Sequence, residues 1–430
     1  MRTLKLCYRQ AVVLLLLGGA ALVFALHVGV TGARTPTLGY VAYYTSAWLV
    51  VHDGNVDRLY DGRWFIDQTP RAGIDEPRDI FNVNPPPAAL LALPLVPFSP
   101  ADGKVILLLL NLFFLGATVY LVRSAMAVAF PQAVASPVWL PAVAGLALVY
   151  TPIAENAHLG QAYGLLLVLV ALAFHGYVGG RDRWLGGALG LLLVLKTAGV
   201  VLWVIPAMDR RWRALASGAL VAGLVAVCSL PLLGARLWWE YPQWLPSLFN
   251  KVWTGQTSYQ TLASIAHHLT TQHPRYSPAP PFDVPGLAAP LAAIAQAVCL
   301  TAAVAVLWPF AREMLPAPLH AQRFATLLAL AAPLQPLGEE HHYALMFPSI
   351  VVALAAAPRP FAAHPGRVML TVIGVLLLLA PLEYESERLL NGWWGLLAYP
   401  RVYGALLLAG MLAAGVARPL REWVPALRSA

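Results

Sequence analysis

The sequence predicts an all-α polytopic integral membrane protein, with about 10–12 membrane segments and two large extracytoplasmic loops. Three observations carry that prediction. Of the 430 residues, 59% are hydrophobic and only 11% are charged, less than half the roughly 25% charge of an ordinary soluble domain. Apolar runs of about 20 residues recur along the chain, long enough to cross a hydrocarbon core at about 1.5 Å per residue. The basic residues also gather in alternate connections. Mean hydropathy is accordingly +0.66. This composition excludes a soluble enzyme, a disordered chain, a collagen and a small secreted scaffold. Cys7, Cys228 and Cys299 are scattered in or beside apolar stretches. They form neither a disulfide framework nor a paired metal site, and no cofactor is expected.

Arg2, Lys5 and Arg9 precede the apolar run 11–30, which ends at Thr31-Gly32-Ala33. That pattern is shared with secretory signals, but the run is of spanning length, so a retained first helix is expected. Tyr40, Tyr43, Tyr44 and Trp48 make the stretch 40–51 aromatic, which places it at the membrane–water boundary. Segment 85–98 is too short and too proline-rich to span, and is expected to dip in from the outer face. Further spans are expected over 104–122, 137–153, 161–178, 212–233, 286–310, 320–337, 343–357, 367–382 and 402–416. Segment 184–206 lies between Arg181/Arg183 and Arg210/Arg211/Arg213. Two half-helices turning near Lys196-Thr197 keep both clusters on one side, a break tolerated where protein or a wet cavity covers the backbone.

With both termini cytoplasmic, the short loops rich in arginine fall inside, as the positive-inside rule requires. The formal charge of +8 then reflects orientation, and no nucleic-acid partner is needed. Only Lys5, Lys104, Lys196 and Lys251 among the basic residues are lysines, a bias that suggests a GC-rich bacterial genome and hence a bacterial inner membrane. Residues 1–430 read as one membrane unit, with 31–103 and 234–285 as the extracytoplasmic segments. The second of these holds Trp238-Trp239, Trp244, Trp253, Tyr259, Asn250 and Gln256. Such aromatic faces beside amides suit sugar stacking or interfacial anchoring. The proline-rich run 277–285 reads as a loop.

The motifs then fall into a recognisable order. Tyr43-Tyr44 leads to Ala47, Gly54 and Leu59-Tyr60-Asp61. Phe81 and Asn84-Pro85-Pro86-Pro87 follow, and then an apolar run from Leu90. Later come Gly160-Gln161 at a helix start, Lys196 in a hairpin before Arg211-Trp212-Arg213, and His341-His342-Tyr343 before an apolar helix. This order, over roughly residues 10 to 415, resembles glycosyltransferase family 87, the polyprenol-phosphate-mannose-dependent mannosyltransferases of the GT-C class. The resemblance implies a GT-C-like membrane fold. It also implies transfer of a hexose, mannose by analogy, from a polyprenyl-phosphate donor to a glycolipid or glycan acceptor outside the cytoplasm, with inversion. Donor, acceptor and membrane lipids are the implied partners. The lack of a Gly-rich nucleotide fingerprint and of a paired Asp-x-Asp agrees with a lipid-linked donor.

Inverting transfer needs a carboxylate to accept the acceptor's proton and cations to neutralise the departing phosphate. In the family the base is an aspartate shortly before the tyrosine pair. Here Gly39 stands at that position, and no acidic residue occurs between Met1 and His52. Three replacements are open. Asp53 is followed at intervals of four by Asp57 and Asp61, all equally readable as loop or cap residues. Glu155 lies beside Asn156, His158 and Gln161 at the outer end of a span. Glu340 precedes His341-His342. Glu339, Glu340, His341 and His342 could share a metal, but adjacent residues diverge on a helix, and no metal site is assigned. Lys196 is the leading phosphate-binding cation, because a charge inside an apolar stretch is costly, although snorkelling to the interface would also explain it. Tyr43, Tyr44, Asn84, Gln161, His341 and His342 join it on the substrate side by resemblance, and Arg275 by its place in the second loop. His267-His268 reads as a surface pair, and His27 as interfacial. Two rival classes remain. One is a polytopic transporter or flippase; the other is a catalytically silent binder or scaffold for lipid-linked sugar, which Gly39 would favour.

Overall fold

A computed structural model describes residues 2–29, 32–54, 56–81, 84–246, 252–284, 286–308, 315–357, 364–379 and 386–428. Among them the regular structure is helical, and the one β-bridge joins His273 to Ser277. Helix α1 (Arg2–Val28) leads into a segment holding α2 (Tyr40–His52) and α3 (Gly62–Gln68). The long α4 (Pro100–Ala129) is followed by the single turn α5 (Pro131–Val134). Next come α6 (Trp139–Val149), α7 (Thr151–Leu159) and α8 (Tyr163–Val178). Helix α9 (Asp182–Leu195), a 3₁₀ stretch Thr197–Trp203 and α10 (Val204–Met208) form the broken hairpin. The second half comprises α11 (Trp212–Trp244), α12 (Leu262–Thr270), α13 (Ala288–Leu307), α14 (Ala317–Leu330), α15 (Phe347–Ala356), α16 (Pro365–Leu379) and α17 (Pro400–Arg428).

Among the described residues, five helices are long and apolar enough to cross a membrane: Ala11–Val28, Pro100–Ala129, Trp212–Trp244, Ala288–Leu307 and Pro400–Ala417. Shorter apolar helices, including Tyr163–Val178 and Pro365–Leu379, pack among them. Their outward faces carry large apolar side chains such as Leu15 (74% exposed) and Phe113 (70%). That much exposed hydrocarbon is sustained by lipid, not water. Helices meet through small residues, as membrane packing favours. A Cβ on Gly186 of α9 would lie 2.0 Å from the Ala214 carbonyl oxygen of α11, and one on Gly190 would lie 2.4 Å from that of Gly218.

Several expectations change in detail. Span 137–153 is two helices, because the chain turns extended at Tyr150 (φ −75°, ψ 102°) before restarting at Thr151-Pro152. Span 212–233 continues to Trp244 beyond a bend at Gly234, whose φ of 71° is left-handed. The tyrosines of the aromatic stretch 40–51 are not laid open to lipid or water. Tyr40, Tyr43 and Tyr44 are all at most 3% exposed, because the chain between α2 and α4 folds back over α2. Tyr40 and Tyr44 donate to the carbonyls of Pro100 and Phe98, both at 2.8 Å. His267 and His268 are also buried, on α12. His268 lies 2.9 Å from the Tyr399 hydroxyl and 3.1 Å from the Leu390 carbonyl. Segment 85–98 forms short 3₁₀ turns whose Pro86, Pro87, Ala88 and Ala89 are buried.

Polar contacts pin the bundle at both ends. At one end the buried Arg323 guanidinium of α14 donates to Asp209 at 2.7 Å, and to the Tyr177 hydroxyl of α8 at 3.0 Å. Tyr177 donates in turn to Asp209 at 2.8 Å, and the Arg211 guanidinium lies 4.6 Å from its ring. At the other end Lys104, 1% exposed, donates to the carbonyls of Thr35 and His158 at 2.9 and 2.8 Å and to the Thr37 hydroxyl. Thr37 passes a hydrogen bond on to Leu159 O at 2.7 Å. The last carbonyls of α7 are thus capped by a cation and a hydroxyl, and the stretch before α2 is fastened beside α8.

Breaking one partner of a buried pair strands the other charge, at a cost of about 3–5 kcal/mol, whereas replacing both by apolar groups is far milder. Asp209→Ala should therefore lower the thermal midpoint in detergent sharply, and Asp209→Ala/Arg323→Met should recover most of that loss.

Candidate functional site

The site forms where the ends of α9 and α8, the turn before α2, residues 79–81 with Asn84, and the 339–342 turn meet. Because α8 runs from Tyr163 to the Arg323–Asp209 end, this is the opposite end of the bundle. Lys196 ends α9 in extended geometry (φ −164°, ψ 120°). Its Nζ donates to Asn84 Oδ1 at 2.6 Å and to the Tyr43 hydroxyl at 3.4 Å. It also lies over the rings of Tyr43 and Tyr163, at 5.9 and 5.7 Å from their centroids, a cation–π arrangement. Asn84, itself 3% exposed, is held by its own bond to the Phe81 carbonyl at 3.2 Å, and its backbone oxygen accepts from Tyr60 at 2.9 Å. Asp79 and Glu339 supply the negative charge that Lys196 feels.

Tyr163 joins this cation to the histidine pair. Its ring lies 4.9 Å from His341 and 4.6 Å from His342. Its hydroxyl is buried with no hydrogen-bond partner among the described residues. His342 Nδ1 accepts from the Glu339 backbone N–H at 3.1 Å, and the Glu339 side chain accepts from the His342 backbone in return. This capping box leaves the neutral imidazole's proton on Nε2. Burial lowers both imidazoles below their usual range, and Lys196 adds to the effect, so both are neutral donors and acceptors.

Gly39 has a structural reason to be glycine. Its φ of 85° is one that L side chains rarely adopt, and a Cβ there would lie 2.0 Å from Gln161 Nε2. Its amide donates to Asp79 Oδ2 at 2.5 Å, and the Ile80 amide donates to Asp79 Oδ1 at 2.7 Å. Burial raises the Asp79 carboxyl above the usual range, against the pull of those amides and of Lys196. Beside the cluster lies a small, mostly apolar crevice of about 10 Å³, lined by Phe24 of α1, Asn111, Leu112 and Leu115 of α4, and Tyr163 and Leu167 of α8.

The structure thus gathers Lys196, Tyr43, Asn84, His341 and His342, with Gln161 against Gly39. Other candidates sit in separate partnerships. Asp53 is paired with Arg71 at 2.6 Å. Glu155 is paired with His27 at 3.0 Å, which gives His27 a defined partner. Glu340 turns to Arg401, which also donates to Thr151 at 2.7 Å. Tyr44 spends its hydroxyl on Phe98. Arg275 is exposed and stacks on Tyr276 at 5.5 Å. Asp61 caps α3, accepting from the Trp64 amide at 3.1 Å. Glu339 and Glu340 diverge, and no group of three metal-ligating side chains converges among the described residues. Asn250 lies outside those residues. Asp79 and Tyr163 are the site members that sequence reasoning missed. The signal for Tyr163 was its place two residues after Gln161; Asp79 had none beyond being an acid in the first loop.

The Gly39 turn yields a direct test of this geometry. Gly39→Ala should lower stability by about 1–3 kcal/mol, seen as a drop in thermal midpoint. Adding Gln161→Ala should restore only part, because the backbone strain remains.

The model of glycosyltransferase family 87 matches residues 82–335, more than half of the chain. No curated protein matches. No solved structure matches either. Asn84, Gln161 and Lys196 fall inside the matched stretch, whereas Gly39, Tyr43 and Asp79 precede it and the histidine pair follows it. On that match, with its helical multi-pass architecture, the chain belongs to glycosyltransferase family 87.

Proposed function

We propose that this membrane glycosyltransferase moves a hexose, mannose by analogy, from a polyprenyl phosphate to a glycolipid or glycan acceptor at the outer face of a bacterial inner membrane. Both termini are then cytoplasmic, residues 1–430 act as one membrane unit, and 31–103 and 234–285 face outward. The observation that carries this reading is Lys196. A cation at a break between two half-helices, surrounded by Tyr43, Asn84, Tyr163, His341 and His342, is suited to a lipid-borne phosphate. A phosphate oxygen can take the place of Asn84 on the ammonium, and the Nε2–H of His342 can add a second donor. Developing charge on the leaving phosphate is met by groups already in place, which is where such sites gain most of their rate. An isoprenoid tail would leave the site along the apolar side chains beside Tyr163, Phe24 of α1 and Leu112 and Leu115 of α4. Gln161 lies on the far side of the Gly39 turn, where it can reach the sugar.

Gly39 favours a second reading, a silent member that binds lipid-linked sugar without transferring it. One assay separates the two. Membranes containing the chain, beside matched empty membranes, are incubated with radiolabelled polyprenyl-phospho-mannose and a native lipid extract. Label should enter a new product only where the chain is present. Lys196→Met should lower that transfer by about 10²–10³-fold, the cost of removing a preorganised charge donor. Donor binding without any transfer would install the silent binder, and an undiminished Lys196→Met rate would remove Lys196 from the phosphate site.

A further inference from the structure

We infer that Asp79 is the general base of the transfer, seated at the reacting centre by the amide of Gly39. This rests on the transferase reading above. Inverting transfer proceeds in one displacement. The acceptor oxygen bonds to the anomeric carbon while the bond from that carbon to the phosphate oxygen breaks. The electron pair leaves with the polyprenyl phosphate, and the acceptor's hydroxyl proton must pass to a base. The phosphate side of this reaction is placed at Lys196, so the base must be a carboxylate whose charge reaches Lys196 without being consumed by another cation.

The acids near the site divide on that criterion. Asp53, Glu155 and Glu340 each contact a cationic or imidazole partner, namely Arg71, His27 and Arg401. Glu339 is the capping residue that orients His342, and its Oε2 lies 3.4 Å from His341. Asp79 is different. Its two oxygens are held by backbone amides, those of Gly39 and Ile80, and each oxygen keeps lone pairs for a further proton donor. It is part-buried, not sealed, so an acceptor hydroxyl can reach it. Its carboxylate and the Lys196 ammonium interact across the site. Burial also raises its proton affinity, which favours a base working near neutrality.

The same contact accounts for the glycine. The amide of residue 39 is 2.5 Å from an Asp79 oxygen, so a carboxylate is delivered to residue 39 from forty positions further along the chain. A side chain on residue 39 would instead meet Gln161. The two positions are therefore complementary: one supplies the acid, and the other supplies the amide that orients it and the space for Gln161.

The test uses the full chain in membranes, comparing wild type, Asp79→Asn, Asp79→Glu and the exposed Asp67→Asn. Two quantities are read: transfer of label from polyprenyl-phospho-mannose, and binding of radiolabelled polyprenyl phosphate. Asp79→Asn can keep the Gly39 contact through its one carbonyl oxygen, giving up the Ile80 contact, but cannot take up the proton. It should reduce transfer at least about 10²-fold while binding the phosphate within about threefold of wild type, and Asp79→Glu should retain more transfer than the amide. Asp67→Asn should match wild type. An Asp79→Asn rate within a few-fold of wild type overturns the assignment. Loss of phosphate binding together with transfer also overturns it, making Asp79 a support for the Gly39 turn. Absence of transfer in wild type with every extract, with phosphate binding intact, fails the transferase reading itself and the base with it.

Discussion

An ammonium group at the end of an apolar helix must be solvated by something, and most of the architecture at one end of this bundle answers that demand. Lys196 stops α9 and faces the gap that the break creates. Asn84 from the segment between α1 and α4 supplies an oxygen at 2.6 Å, Tyr43 a hydroxyl, and the rings of Tyr43 and Tyr163 their negative faces. None of these is a tight counter-ion. The carboxylates of Asp79 and Glu339 act through the field. A lysine held this way is compensated but not neutralised, which leaves it able to exchange a neutral amide oxygen for an anionic one. A direct salt bridge would have stabilised the apo site and opposed the ligand. The same demand explains why that segment is packed down on the bundle: without Asn84 and Tyr43, the cation would lose its solvation.

The opposite end works as the fixed platform. Asp209, Arg323, Tyr177 and Arg211 tie α8, α10 and α14 together with charges in direct contact. Asp209 is neutralised by Arg323 in direct contact, with Arg211 shared between Asp209 and Asp182, and the cluster reads as a clamp. Because α8 carries Tyr177 at one end and Tyr163 at the other, the clamp fixes the register of the ring that lies between Lys196 and the histidines. The Lys104 clamp does the equivalent job for the segment between α1 and α4. It holds Thr35 and Thr37 to the C-terminus of α7, and so sets Gly39 down next to Gln161. Two structural cations, Lys104 and Arg323, thereby place Lys196.

Much of this was legible in the sequence, for a physical reason. Hydrocarbon thickness fixes span length, so apolar runs located the helices. The arginine clusters on either side of 184–206 forced a break near Lys196. That Lys196, Tyr43, Asn84 and His341-His342 lie together was legible from motif order; their place on the substrate side belongs to the proposal. The errors share a cause. The tyrosines of α2 and the histidines of α12 look interfacial or solvent-facing when judged by local composition, yet both helices are covered by segments distant in sequence. Burial by tertiary cover leaves no periodic signal. Asp79 is the extreme case. It sits among Asp75, Glu76 and Arg78, an ordinary charged loop to the eye, and its partner is a backbone amide, which has no residue identity to recognise.

That last point bears on how a missing catalytic residue should be read. The glycine at position 39 counts against activity only if chemistry must come from the side chain at that position. A proton acceptor is defined by where its oxygen lies and what surrounds it, and a loop that passes close by can supply that oxygen as well as a local side chain can. The arrangement has a cost: the carboxylate now depends on the path of a long loop, not on one Cα. The structure offsets it with two amide donors to the carboxylate and with the Lys104–Thr37–Leu159 relay behind the turn. Rigidity that an aspartate on α2's doorstep would have had from its own backbone is rebuilt from hydrogen bonds. The left-handed turn at Gly39 is what lets the amide point outward to receive the loop. Substituting the turn and substituting the acid should therefore damage the same step by different routes, the first by displacing the oxygen and the second by removing its basicity.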